Sequence, residues 1–508
     1  MSEYLERENH NIKFQTPLRW WYGFALRYQD GFKGKRDYHF LSNFIFNGFL
    51  PTAWFRNIFP WGNVIETDGF ITEIDLRHRN LLGLPDSLGK LSHLEILDIS
   101  RNQLTKLPDT LRYCRSLKAL NISDNQLTKL PDTLGYCFSL TDLYAGSNQL
   151  TTLPDTLRYC TSLIDLYIGG NQLTTLPETL AYCFVLTDLY IGGNQLTTLP
   201  EYLGHMNSLK YLNAEKNLLT TLPDSLGYSK SLDRLTFSKN QLISLPESLG
   251  NSNSISSLYL DHNALTYLPE SLGNITRLSG LTISYNQLTF LPESLGQCVV
   301  SPDSLKKSIL SASQRRNDRQ SSELQELLEL NGLSMASLGQ CISLQSLDAS
   351  NNQLTRLPES LGCCFVLTDL DVSNNQLRYL PTQLAFRGVI LHLNASNNQL
   401  TNLAEESGQD GLILYCNLSN NHLTHLPDYL CKCRELCVRN NRITNIPEFL
   451  IHSSMKSLCL CNNQLTIIPD FLSHCSSLES LCVSENHLRE GNELRNIYQD
   501  KCKMRSYK

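Results

Sequence analysis

Leu94-Glu95-Ile96-Leu97-Asp98-Ile99-Ser100-Arg101-Asn102-Gln103-Leu104-Thr105-Lys106-Leu107-Pro108 is the stretch that decides the fold. Its apolar residues fall eight, five and three positions before Asn102, and two and five after it. The pattern returns at 23-residue steps around Asn125, Asn148, Asn171, Asn194, Asn217, Asn240, Asn263 and Asn286. It resumes at Asn352, Asn375, Asn398 and Asn421, and closes at Asn441, Asn463 and Asn486 with steps of 20, 22 and 23. Length alone, 508 residues, suggests several globular domains. A period this regular overrides that prior and reads as a solenoid.

The residue types follow from the physics of one unit. The Leu97-Asp98-Ile99 stretch alternates inward and outward, as a short strand does. The asparagine follows the strand where the chain turns inward, and its amide can pair with backbone groups that no ladder reaches. Pro108 sets φ where a short helical turn begins, and Asp109 follows in the positive end of that turn, as do Asp132, Asp155 and Glu178 in later units. No unit can bury its apolar face alone, so the array folds by stacking.

The pattern L-x-x-L-x-L-x-x-N-x-L-x-x-L-P resembles the leucine-rich repeat, specifically the intracellular 23-residue type with Leu-Pro after the asparagine. The resemblance covers residues 71–489 in 17 units, the first degenerate, with Arg79 where Asn is expected. It implies an α/β fold: a curved solenoid with a parallel sheet on the concave side and short helical or 3-10 turns on the convex side. At ~4.8 Å per strand the sheet spans on the order of 80 Å.

Composition narrows the function. The net charge is -6 at pH 7, which gives no broad basic field for nucleic acid. Placed on the period, the cysteines lose the look of a disulfide framework. Cys114, Cys137, Cys160, Cys183, Cys341, Cys364 and Cys475 lie eleven residues before a repeat asparagine, and Cys298 holds the equivalent place before the gap. They read as small buried thiols at one packing position. With 17 cysteines, an odd count, and no cysteine-rich caps, a reducing cytoplasmic compartment is expected, with host cytosol after secretion as one form of it. The N-terminus lacks a secretory signal, and no stretch is long and apolar enough to span a membrane.

Three regions fall outside the repeat. Residues 1–65 hold all four Trp and nine of the 18 Phe, with eight basic and five acidic residues. They read as an aromatic N-terminal cap, or as a small docking module able to touch a membrane surface. The solenoid, residues 66–489, is interrupted by an insertion near 299–341. Ser294–Cys298 recurs as Ser337–Cys341, so the insertion preserves the frame. Ser321–Leu330 within it reads as a capped amphipathic helix. Residues 490–508 read as a closing helix and a basic tail.

The candidate site lies on the outward strand positions. Three consecutive units place Asp142, Asp165 and Asp188 six residues before the asparagine, Tyr144, Tyr167 and Tyr190 four before, and Gly146, Gly169 and Gly192 two before. Tyrosines are flat interface anchors with a polar tip. The carboxylates favour a partner that is basic where it touches. The glycines leave room for a close approach. A second column places Cys437, Cys459 and Cys482 four before the asparagine, with Cys461 two before. Outward thiols ~5 Å apart suit a soft metal or a redox pair. With no matched CxxC pair and no histidine in phase, drift in imperfect terminal units is the preferred reading, and neither metal nor cofactor is expected.

No phosphate loop, nucleophile elbow, zinc-protease motif or kinase signature is present. The resemblance implies a non-catalytic protein-binding module. The array is similar to those of bacterial effectors delivered into host cells and to intracellular scaffolds of small-GTPase pathways. Some such effectors carry a ubiquitin-ligase domain after the repeats, for which residues 490–508 are too few. The alternative is that residues 1–65 form a membrane-docking or catalytic module, with the repeats as its targeting domain.

Overall fold

The computed structural model describes residues 63–296, 344–364, 367–385, 389–404, 412–475 and 477–488. Residues 1–62, the insertion with its expected Ser321–Leu330 helix, and the closing segment 490–508 lie outside the described residues, as do Cys298 and Cys341.

The described chain forms one 18-stranded sheet whose strands follow one another in chain order. β1 (Asn63–Thr67) and β2 (Phe70–Asp75) make an antiparallel hairpin through Asp68 and Gly69, both at positive φ (54° and 84°). Two left-handed residues are what a tight hairpin turn requires. β1 thus covers the sheet edge that β2 would otherwise expose. The 17 strands from β2 onward pair in parallel, most of them three residues long. Their middle residues stack in register, Leu97 on Leu120, Leu143, Leu166 and Leu189. Each of these leucines is fully buried, which contributes roughly 2 kcal/mol apiece.

The asparagines do what the sequence leads one to expect. Asn102 Oδ1 accepts from the backbone N–H groups of Arg79 (2.9 Å) and Leu81 (3.0 Å) of the preceding unit. Its Nδ2 donates to the carbonyls of Leu76 and Ile99. Arg79 therefore occupies the asparagine place of the degenerate first unit. The pattern repeats along the array and continues across the insertion. Asn352 Oδ1 accepts from Leu288 N–H at 3.0 Å, and its Nδ2 donates to Ile283 O at 3.0 Å. Strand Gly280–Thr282 pairs directly with strand Ser346–Asp348, so the stack is unbroken on both sides of the insertion.

The residue before each asparagine is left-handed. Arg101, Asp124, Ser147, Asn351 and Asn374 sit at φ 53–55°, and Gly170 and Gly193 at 68°. Asn, Asp and Gly tolerate this conformation best. Opposite the sheet, each proline caps a 3-10 turn, such as Asp109–Tyr113 after Pro108 or Asp155–Tyr159 after Pro154. The acid behind the proline also reaches sideways: Thr133 and Thr179 donate to Asp109 and Asp155 of the unit before.

The thiols form a ladder of their own. Cys114, Cys137, Cys160 and Cys183 are fully buried and lie within 3.4–3.8 Å of carbonyls of the preceding unit. Burial pushes Cys114 and Cys183 up to about 11, and Cys137 and Cys160 up to about 12. These thiols stay protonated and unreactive at neutral pH. Among the described residues, no helix is long and apolar enough to cross a membrane.

Candidate concave binding surface

Three strands, Asp142–Tyr144, Asp165–Tyr167 and Asp188–Tyr190, bring the six sequence-selected residues together. The register pairs Asp142 with Asp165 and Asp165 with Asp188, and does the same for the tyrosines. All six side chains are half-buried. The tyrosines stack on each other: Tyr144 and Tyr167 have ring centres 4.8 Å apart at 28°, and Tyr167 and Tyr190 4.0 Å apart at 10°. Stacking fixes each ring before any partner arrives, so less side-chain entropy remains to be lost on binding.

The carboxylates are not equivalent. Thr141 donates to Asp142 at 2.6 Å, and Thr187 donates to Asp188 at 2.6 Å. The corresponding neighbour of Asp165 is Ile164, which has no donor. Asp165 also lies between the other two carboxylates. Its pKa is pushed up to about 6, first by burial, then by the shared contact with Asp142 and the charge of Asp188. Burial and the nearby aspartates also raise the Tyr144 phenol, and burial with the contact to Tyr190 raises Tyr167.

The glycines also have a structural part. A Cβ on Gly169 would meet Gly192 O at 2.8 Å, and one on Gly146 would meet Gly169 O at 3.1 Å. They permit neighbouring strand ends to close on each other.

Elsewhere the position held by these tyrosines has a structural task. Asp75, Asp98, Asn121, Asn213, Asp348, Asp371, Asn394 and Asn417 accept the N–H two residues on, at 2.9–3.3 Å. These are Asx turns that hold the strand end. The second sequence-selected column occupies the same position. Cys437 pairs in register with Cys459, and Cys459 with Cys482. Cys461 Sγ lies 3.7 Å from Cys459 Sγ and 2.7 Å from Cys482 Sγ.

A further aromatic ladder was not singled out from the sequence. Tyr113, Tyr136, Tyr159 and Tyr182, the last residues of successive 3-10 turns, are exposed on the face opposite the sheet. Arg112 lies over Tyr113, and Arg158 lies over both Tyr159 and Tyr182, 4.7–5.5 Å from the ring centres. The signal was present as a tyrosine twelve residues before Asn125, Asn148, Asn171 and Asn194.

Stacked parallel strands, an asparagine ladder and a 3-10 turn behind most of the described strands are the architecture of a leucine-rich repeat fold. Family models described as leucine rich repeat match residues 71–127 and 343–364. Among solved structures, the chain is similar to a leucine-rich repeat protein of Leptospira interrogans, at 25% identity and a TM-score of 0.62, covering 83% of this chain and 92% of that one. It is also similar to YopM from Yersinia enterocolitica, at 26% identity and a TM-score of 0.55, covering 90% and 88%. The plant peptide hormone receptor RGFR1, solved in complex with RGF2, shares the fold at 23% identity and a TM-score of 0.59, covering 84% and 68%. The chain thus resembles bacterial leucine-rich repeat proteins. No curated protein matched its sequence.

Proposed function

We propose that this protein is a non-catalytic binding solenoid that holds a protein partner on its concave face, with Asp142, Asp165 and Asp188 facing basic groups and Tyr144, Tyr167 and Tyr190 supplying the anchors. One observation carries the reading: at the position where eight other strand ends among the described residues close an Asx turn, three adjacent strands put stacked tyrosines beside a carboxylate row. A repeat array of this kind is generally non-catalytic, and binding is what its broad open face suits. The similarity to repeat proteins of Leptospira and Yersinia supports a bacterial effector acting in the cytosol of a host cell.

The test is affinity capture from eukaryotic lysate with three proteins in parallel: wild type, a Tyr144/Tyr167/Tyr190→Ala triple variant, and a Tyr136/Tyr159/Tyr182→Ala triple variant on the opposite face. A partner captured by the first and third and lost by the second supports the concave site. Equal capture by all three refutes it. A translocation reporter fused to the chain tests the effector role separately, and absence of signal in host cytosol counts against it.

A further inference from the structure

The Asx position changes chemistry once more toward the C-terminal end of the sheet. From strand Glu435–Cys437 onward it holds Cys437, Cys459 and Cys482, and Cys461 takes the place two residues before the asparagine that Ser100, Ser123, Ser373 and Ser396 hold elsewhere. These thiols differ from the inner ladder. They stand on the sheet's outer face, they touch each other rather than carbonyls, and no regular packing position requires them.

We propose that Cys459, Cys461 and Cys482 form a three-sulfur site for a soft d10 cation, Cu(I) in preference to Zn(II), on the concave face near the C-terminal end of the array. The three Sγ atoms all lie within 4.8 Å of one another. Metal–thiolate bonds of ~2.3 Å around a trigonal ion hold sulfurs about 4 Å apart, and the Cys459–Cys461 separation of 3.7 Å is close to that. The Cys461–Cys482 separation of 2.7 Å is shorter, so Cys482 turns outward by about 1 Å to admit the ion. Cys482 is half-exposed and can do so, whereas Cys459 and Cys461 are buried and form the fixed floor. Thiolates alone select soft cations, and the three-sulfur group found among the described residues suits trigonal Cu(I) better than four-coordinate Zn(II).

The surroundings assist. Ser484 Oγ donates to Cys461 Sγ at 3.1 Å, which orients that sulfur.

The experiment is an anaerobic titration of the full reduced chain with Cu(I), and in parallel with Zn(II), against a chelator of known affinity, with metal content measured after gel filtration. The comparison protein is Cys461→Ser, a change the fold accepts because serine fills this position in other units. Cys114→Ser/Cys137→Ser controls for the inner ladder. One Cu(I) per wild-type chain, held at least ~100-fold more weakly by Cys461→Ser, is the expected result. The inner-ladder variant keeps wild-type binding. The proposal is overturned if wild type fails to compete with the chelator, or if Cys461→Ser binds as wild type does. It is also overturned if the reduced chain closes a Cys461–Cys482 disulfide under mild oxidant in place of taking up metal.

Discussion

Asp165→Asn tests the electrostatic reading of the concave face, and its sign is unusual, since removing a charge should stabilise the protein. Asp165 sits between Asp142 and Asp188 without the threonine bond each of them has. Its pKa stands at about 6 against an ordinary 3.8. Between those values the folded state keeps a proton that the unfolded state has released, so stability falls as pH rises from about 4 to about 6. A displacement of about two units corresponds to about 3 kcal/mol. The carboxylate row is partly exposed, and solvent screening reduces the share felt as stability to about 1 kcal/mol. Asparagine keeps the shape and removes the charge. At pH 7 the variant should therefore gain about 1 kcal/mol of local stability, and near pH 4, where Asp165 is already neutral, the gain should vanish. A long solenoid opens locally, so the measurement is hydrogen exchange at the amides of Asp165, Leu166 and Tyr167 at the two pH values. Added salt should shrink the pH 7 gain. An equal gain at both pH values, or a loss at pH 7, refutes the reasoning that three carboxylates repel across this register.

Ile164→Thr should supply Asp165 with the bond its neighbours have and lower its pKa, which a carboxyl NMR titration reads directly; an unmoved titration would show that the missing donor is not a cause. Tyr167→Ala removes two stacked contacts and should cost about 1–3 kcal/mol, roughly twice the cost of Tyr144→Ala or Tyr190→Ala, each with one stacked neighbour in the column. Thermal melts of the three variants check that order. Asn171→Ala strips the acceptor from Leu150 N–H and the donor from the Ala145 and Ile168 carbonyls. It should cost about 2–4 kcal/mol, seen as loss of exchange protection centred on that unit. Gly227→Ala would place a Cβ 1.9 Å from Ser248 O in the next turn and should destabilise the stack by about 1–3 kcal/mol on thermal denaturation.

The repeat made the fold legible because each inward position is read many times over. Leu94, Leu97, Ile99, Leu104 and Leu107 are all buried, and one error in phase would have failed in every later unit. The candidate stripe was legible for the same reason, since a fixed phase says which side chains point outward. Its energetics were not. That Tyr144, Tyr167 and Tyr190 stack, and that Asp165 differs from its flanking acids, depends on spacing between strands and on Thr141 and Thr187, which lie one residue outside the alternating pattern. At Gly146, Gly169 and Gly192 sequence shows a missing side chain without showing what stands in its place, here a neighbouring carbonyl. The exposed Tyr113–Tyr182 ladder was missed because the turns were read only for their prolines, the acids that follow and the thiols.

The position four residues before the asparagine is where structure and function separate. Asp and Asn there close an Asx turn, as at Asp98 and Asn394, and their side chains also bond along the column: Asn121 Nδ2 reaches Asp98 at 3.0 Å, and Asn394 Nδ2 reaches Asp371 at 2.9 Å. That column is self-sufficient, with its polar groups engaged inside the protein and few left for a ligand. Tyrosine and cysteine break it in different ways. Tyr144, Tyr167 and Tyr190 stack on one another beside the carboxylate row, and the Tyr144 hydroxyl reaches Asp142 at 3.5 Å. Cys459 and Cys482 leave sulfur where a carboxamide would have turned inward. In each case the local Asx hydrogen bond, about 1 kcal/mol, is exchanged for contacts along the column. A surface of this kind is most informative where its column chemistry changes, and by that criterion the tyrosine strands and the terminal cysteine strands are the two sites proposed on one face.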